Sequence, residues 1–199
     1  MSNLPIILEH IVEKLKNGLS SELRYHTVDH TLDVFKQSEI IALGEKITDT
    51  EQLYLLKVAA LYHDSGFLFI YSGHEQMSCQ LAMQELPAFG LTEKQIQTIS
   101  GLIMATKIPQ SPQSKLEQMI CDADLDYLGR NDYEVISNNL YYEFLNEGIV
   151  KDDKEWLEKQ IGFIESHQYF TSFSKKNRTP LKLRHLEKLK ANQKKIKSD

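Results

Sequence analysis

The stretch LYLLKVAALYHDSG, residues 53–66, decides how this chain is read. Leu53, Leu56, Ala60 and His63 step by three, four and three, the spacing of one helical face. His63 extends that apolar face, so it is expected to point inward, with Asp64 beside it. Gly66 can then supply a left-handed stop. An imidazole and a carboxylate buried without partners would cost several kcal/mol, roughly 2–7 for even a neutral polar group. Two arrangements satisfy them. One is a hydrogen-bonded histidine with the aspartate paired to a lysine or arginine. The other is a metal ion, for which both groups are ordinary ligands. The C-terminal end of a helix is partially negative and favours a cation in either case.

Working outward, the rest of the chain also reads as helices. Thr48 with Glu51, Thr92 with Gln95, Ser114 with Glu117 and Asn131 with Glu134 have the spacing of capping boxes. Tyr133, Ile136, Leu140 and Phe144 keep helical spacing, as do Leu157, Ile161 and Ile164. No period-two run with hairpin turns appears. Loops are expected over 18–24, 66–73, 107–112 and 146–151. The chain has 199 residues, 41% hydrophobic and 26% charged, enough apolar material for one core-bearing domain. The expectation is an all-α, single-domain helical bundle over residues 1–170, of about eight helices. A basic C-terminal helix or tail over 171–199 follows, helical from Pro180.

Charge is divided unevenly. From Thr171 onward there are ten lysines or arginines and two acids; the remainder holds 13 basic and 26 acidic residues. An acidic body with a basic end argues against a nucleic-acid surface. The tail also lacks aromatic groups for stacking on bases, so nucleic acid is disfavoured as a partner. Docking on its own body or on a second copy in a homodimer fits better. No apolar run reaches the roughly 18 residues of a membrane span, and MSNLPIILEHIVEKL does not read as a signal peptide. Cys79 and Cys121 stand in unrelated contexts, which fits two core thiols and a cytoplasmic setting.

Two further segments carry ligand-type residues. RYHTVDHTLDV, residues 24–34, holds His26 and His30 four apart, on one side of a helix starting near Thr27. MICDADLDYLGR, residues 119–130, holds Asp122, Asp124 and Asp126 at alternate positions. An EF-hand reading of the second fails, because Tyr127 stands where that loop needs Gly and Tyr133 where it needs Glu. Read as a helix, Asp124 follows Ile120 by four and shares its inward face.

Together, "YH…H" opening a helix, ALYHDSG closing one, GHEQMS after a loop and DADLDYLG further on resemble the HD superfamily of metal-dependent phosphohydrolases. The resemblance covers residues 20–170. It implies an HD-type helical fold and one divalent metal ion (Mn, Fe, Co, Ni, Zn or Mg) held by His26, His63, Asp64 and Asp124. It implies a small phosphate ester or nucleotide as substrate, hydrolysed by a metal-activated water. Asp64 would orient that water, and His74 and Glu75 would serve in acid–base catalysis. His30, Lys107 and Arg130 are the expected substrate contacts, the last two as phosphate binders. TISGLIMATKIP, residues 98–109, carries no histidine where two-metal members usually add them, which favours a single ion. The alternative is a catalytically weak HD module that binds a nucleotide or partner in a regulatory role. His10, His167 and His185 are expected to be structural or solvent-facing, and Tyr141, Tyr142, Phe144 and Trp156 to be core.

Overall fold

Caps start most of the helices. In the computed structural model, which describes residues 3–196, Thr92 and Ser114 each close a full capping box at the heads of α5 (Glu93–Ala105) and α6 (Lys115–Asp124). The other two expected boxes shift by one residue. Asp49, not Thr48, caps α3 (Thr50–Tyr62), its carboxylate accepting from the N–H groups of Glu51 and Gln52. A carboxylate so placed also meets the positive end of the helix dipole. Asp132, not Asn131, precedes α7 (Tyr133–Asn146), and it makes no side-chain cap. The remaining helices are α1 (Leu4–Gly18), α2 (Val28–Gly44), α4 (His74–Glu85), α8 (Asp153–Ser166), α9 (Ser172–Asn177) and α10 (Thr179–Ile196). Three 3-10 turns, Ser65–Leu68, Leu86–Phe89 and Asp126–Gly129, link them. The described residues contain no strand, as expected.

The fold is organised by α3. It touches α1, α2, α4, α5 and α6. Tyr54, Leu55, Leu56 and every residue from Val58 to Tyr62 are buried. The helix is therefore apolar all round rather than on one face, as a central helix must be. Ile7, Ile11 and Leu15 of α1, Ile41 of α2, Ile99 and Ile103 of α5 and Met119 and Ile120 of α6 pack around it as the main core. A second core forms under the C-terminal half from Tyr25, Leu125, Leu128, Tyr133, Ile164 and Tyr169.

The basic end of the chain docks on its own body. α10 packs against α8 and the 126–129 turn. Asp122, fully buried, accepts from Phe170 N, Thr171 N and Thr171 Oγ1 at 2.8, 2.8 and 2.6 Å. Arg178 Nε donates to Asp126 Oδ1 at 2.8 Å. His185 bonds the Arg130 carbonyl and stacks on Tyr133. Lys182 reaches the carbonyls of Ile164 and His167 at the end of α8, the helix end that favours a cation. The expected boundary at 170/171 thus falls inside a hydrogen-bonded segment. Residues 197–199 of the expected tail lie outside the described residues.

Candidate metal centre

The His-Asp pair closes α3 in a way periodicity did not anticipate. The chain does not stop at a left-handed Gly66. It runs on from His63 (φ −53°) and Asp64 (φ −105°) into the 3-10 turn. Two side chains satisfy the carbonyls that the helix leaves open: His63 Nδ1 donates to Ala60 O at 2.9 Å and Ser65 Oγ to Tyr62 O at 2.8 Å. Gly66 is needed for space instead. A Cβ there would stand 2.0 Å from the His74 carbonyl oxygen. Its absence lets the start of α4 sit against the end of α3. Gly73, at φ 83°, supplies the left-handed step into α4.

Three helix ends then converge. His30 sits in the first turn of α2, where the Thr27 cap accepts from its N–H. His63 and Asp64 follow the end of α3, and Asp124 is the last residue of α6. His30 Nε2 lies 3.3 Å from His63 Nε2, 3.3 Å from Asp64 Oδ2 and 3.3 Å from Asp124 Oδ1. His63 Nε2 lies 3.2 Å from Asp64 Oδ2 and 3.6 Å from Asp124 Oδ1. His30, His63 and Asp124 bring one ligand atom each within 4.8 Å of one another, and their separations approach the roughly 3.4 Å edge of a tetrahedral shell with ligands at about 2.1 Å. Asp64 Oδ2 meets the two imidazoles but stands outside that group.

The excess of acceptors favours a positive charge at this point. A carbonyl only accepts, so His63 Nδ1 carries the ring proton and a neutral imidazole offers a lone pair at Nε2. Asp64 Oδ2 is buried, and its two short approaches to the imidazoles lack hydrogen-bond direction, leaving it without a partner. With both rings neutral, His30 Nε2–H donates to the His63 Nε2 lone pair at 3.3 Å, and Asp64 Oδ2 and Asp124 Oδ1 stand beside the pair as further acceptors. Burial opposes charge on His30 and His63, but the two aspartates outweigh it and hold both imidazoles above their ordinary range. Burial likewise opposes ionisation of Asp64 and Asp124, and the imidazoles outweigh it, drawing both carboxyls below theirs. A divalent cation between them meets the same demand. The donor set of His30, His63 and Asp124 fits a metal ion, and the orphaned oxygen of Asp64 stands beside it.

The arrangement departs from the expected assignment at two positions, for Asp64 stands outside the group that could share one ion and the histidine from α2 is a different one. His30, expected to touch substrate, occupies the place given to His26. The spacing explains the ambiguity: residues four apart share a helix face. A distant acid decides between them. Glu143 of α7 is fully buried, and its Oε2 accepts from the backbone N–H groups of Arg24, Tyr25 and His26 at 3.0, 2.9 and 3.1 Å. Its Oε1 takes Tyr71 OH at 2.9 Å and binds His26 Nδ1. His26 is thereby held beside the cluster and lines the adjoining pocket.

His74 stands on the other side of Asp64. Its Nδ1 donates to Tyr71 O at 3.0 Å, and its Nε2 lies 3.5 Å from Asp64 Oδ1 and 3.7 Å from Glu75 Oε1. Phe67 stacks on both His26 and His74, at 4.0 and 3.9 Å. The pocket over these groups has a cavity volume of about 320 Å³. Asp64, Asp124, His26, His74 and Glu75 line it together with residues of α7 and α8.

Lys107 and Arg130 are not brought to it. Lys107 is exposed, although its neighbours Thr106 and Ile108 line the cavity. Arg130 is tied by Asp33 at 2.7 Å, Asp132 at 2.9 Å and Asp126 at 3.5 Å, acids that hold it in the fold. Of the aromatic cluster expected in the core, Trp156 and Phe144 line the pocket and Tyr142 is exposed. Glu143 escaped sequence reasoning altogether, although an acid inside the aromatic run YYEFL was a visible anomaly. No protein-family model matches this chain, and neither a curated protein nor a solved structure does.

Proposed function

We propose that this protein is a metal-dependent phosphohydrolase of the HD type, acting on a small phosphate ester. The observation that carries the reading is the convergence of His30, His63 and Asp124, with Asp64 against both imidazoles, beside a pocket that Asp64 and Asp124 line, with one carboxylate oxygen left unpartnered. The order His, His-Asp, Asp along the chain agrees with the resemblance noted above. His30, His63 and Asp124 would hold one divalent ion, with Asp64 beside them, and the ion's contribution would be Lewis acidity toward water and a phosphoryl oxygen.

The chain's own residues supply the remainder. Ala60 O fixes the tautomer of His63, the partner that a ligating imidazole ordinarily needs. Asp64 presents Oδ2 to the cluster and Oδ1 toward His74. In the reaction a water oxygen bonds to phosphorus and the bond from phosphorus to the alkoxide breaks. A proton goes to the leaving oxygen, giving an alcohol and inorganic phosphate. Two imidazoles face the pocket outside the cluster and can deliver that proton. His26 is bound through Nδ1 to Glu143, which leaves Nε2 for the pocket, and His74 is oriented by Tyr71 O. The two cysteines are free and buried, in accord with a cytoplasmic setting. Among the described residues no helix is long and apolar enough to cross a membrane.

The test is release of phosphate or alcohol from a panel of phosphoesters with added Mn, Co, Ni, Zn or Mg. Turnover should require metal and fall at least about a hundredfold in Asp64→Asn, the usual scale for loss of a group central to the transition state. Folded, metal-loaded protein that hydrolyses none of the panel would overturn the reading and leave a ligand-binding HD module in its place.

A further inference from the structure

The pocket beside the cluster is built for carbon. Beyond the acids and histidines, its walls are Leu125 and Leu128 after α6, Leu140 and Phe144 on α7, and Trp156 and Phe163 on α8. Among the described residues lining it, Lys159 is the one lysine or arginine, and it is exposed. Of the polar side chains in the walls, three hydroxyl or amide groups donate to the protein, and the tyrosines Tyr25, Tyr127 and Tyr133 present mostly ring. Thr106 Oγ1 donates to Ile103 O at 2.8 Å, Ser137 Oγ to Glu134 O at 3.3 Å and Gln160 Nε2 to Tyr133 OH at 3.0 Å. A sugar or ribose placed against the leucine and aromatic walls would lose water from its hydroxyls and find few partners there. A polyphosphate would find one solvated lysine where such groups usually meet several fixed cations. A hydrocarbon group would gain from every carbon it buries. The cavity volume of about 320 Å³ lies at the small end of the range of ligand pockets, about 300–1,000 Å³.

We infer that the natural ligand of this pocket is the monophosphate ester of an apolar alkyl or aryl alcohol, rather than a nucleotide or sugar phosphate. This rests on the phosphohydrolase reading, with the phosphate at the cluster and the apolar group between α7 and α8.

The experiment measures kcat/KM of the Mn-supplemented protein for methyl, butyl, hexyl, phenyl and naphthyl phosphates beside glucose 6-phosphate, AMP and ATP. The affinities of matching alkylphosphonates, which are not hydrolysed, are measured in parallel by calorimetry. Each fully buried methylene should raise kcat/KM about fourfold, so the five extra methylenes of hexyl should raise it about a thousandfold over methyl if all are buried. Leu140→Trp, which fills the cavity from α7, should cut that ratio at least about tenfold. Turnover that varies less than about threefold along the series, or that favours AMP or glucose 6-phosphate, overturns the inference while the hydrolase reading stands. Phosphonate affinity rising with chain length in the absence of any turnover keeps the apolar ligand and removes the hydrolase. Neither turnover nor a rise in affinity removes both.

Discussion

Replacing Glu143 by Gln keeps its shape and removes its charge. In the folded protein burial alone would push this carboxyl up. The hydrogen bond and charge of His26, with the backbone N–H groups of Tyr25 and His26, bring it down from 4.5 to about 2. A folded value below the unfolded one stabilises the protein above the unfolded value, and that contribution is lost as pH falls from about 4.5 toward about 2. At 1.36 kcal/mol per unit the charge contributes about 3 kcal/mol at neutral pH. An amide still accepts some of the N–H bonds, so Glu143→Gln should lose about 2–3 kcal/mol. Urea unfolding of both proteins from pH 7 to pH 3 reads the difference directly, since other carboxylates titrate alike in the two. The gap should be constant down to about pH 5 and close by about 2 kcal/mol at pH 3. A gap that does not change with pH, or one below about 1 kcal/mol at pH 7, would refute the assignment of Glu143 as the charged clamp of the 24–26 segment.

Gly66→Ala puts a Cβ against backbone, 2.0 Å from the His74 carbonyl oxygen, which no rotamer change can relieve. It should cost at least about 2–3 kcal/mol in urea unfolding, and a fully stable variant would contradict the close approach. Asp122→Asn weakens three bonds to residues 170 and 171. It should cost about 1–3 kcal/mol and speed amide exchange at 170–178 more than in α3, whereas uniform exchange would mean the segment is held elsewhere. Lys107→Ala should change kcat/KM on a phosphoester less than about twofold, because the side chain stands outside the pocket; a loss of tenfold or more would return it to substrate binding.

The helices were legible because caps and spacing are local. Thr92 and Ser114 announce α5 and α6 by side chains that bond within three residues. Thr48 and Asn131 misled by one position because an aspartate follows each, and the boundary passed to the neighbour. His63, Asp64 and Asp124 were readable as inward-facing for the same local reason. His26 and His30 were not separable, since helical period places both on one side. The difference lies in Glu143, more than a hundred residues away, and no spacing rule reaches that far. Arg130 reads as a phosphate binder beside its motif, yet Asp33 and Asp132 neutralise it in the fold. The apolar pocket was hidden because α7 and α8 show ordinary core spacing. That spacing does not tell a side chain packed on protein from one facing a cavity.

The central claim is that His30, not His26, completes the cluster. Wild type, His30→Ala, Asp124→Ala and His26→Ala are to be loaded with Mn or Zn, dialysed and assayed for bound metal by plasma mass spectrometry, with far-UV circular dichroism to establish folding. The account predicts about one ion per chain in wild type and in His26→Ala, and less than about a tenth of that in His30→Ala and Asp124→Ala. Metal retained by His30→Ala and lost by His26→Ala would contradict it, as would a folded wild type that binds no metal.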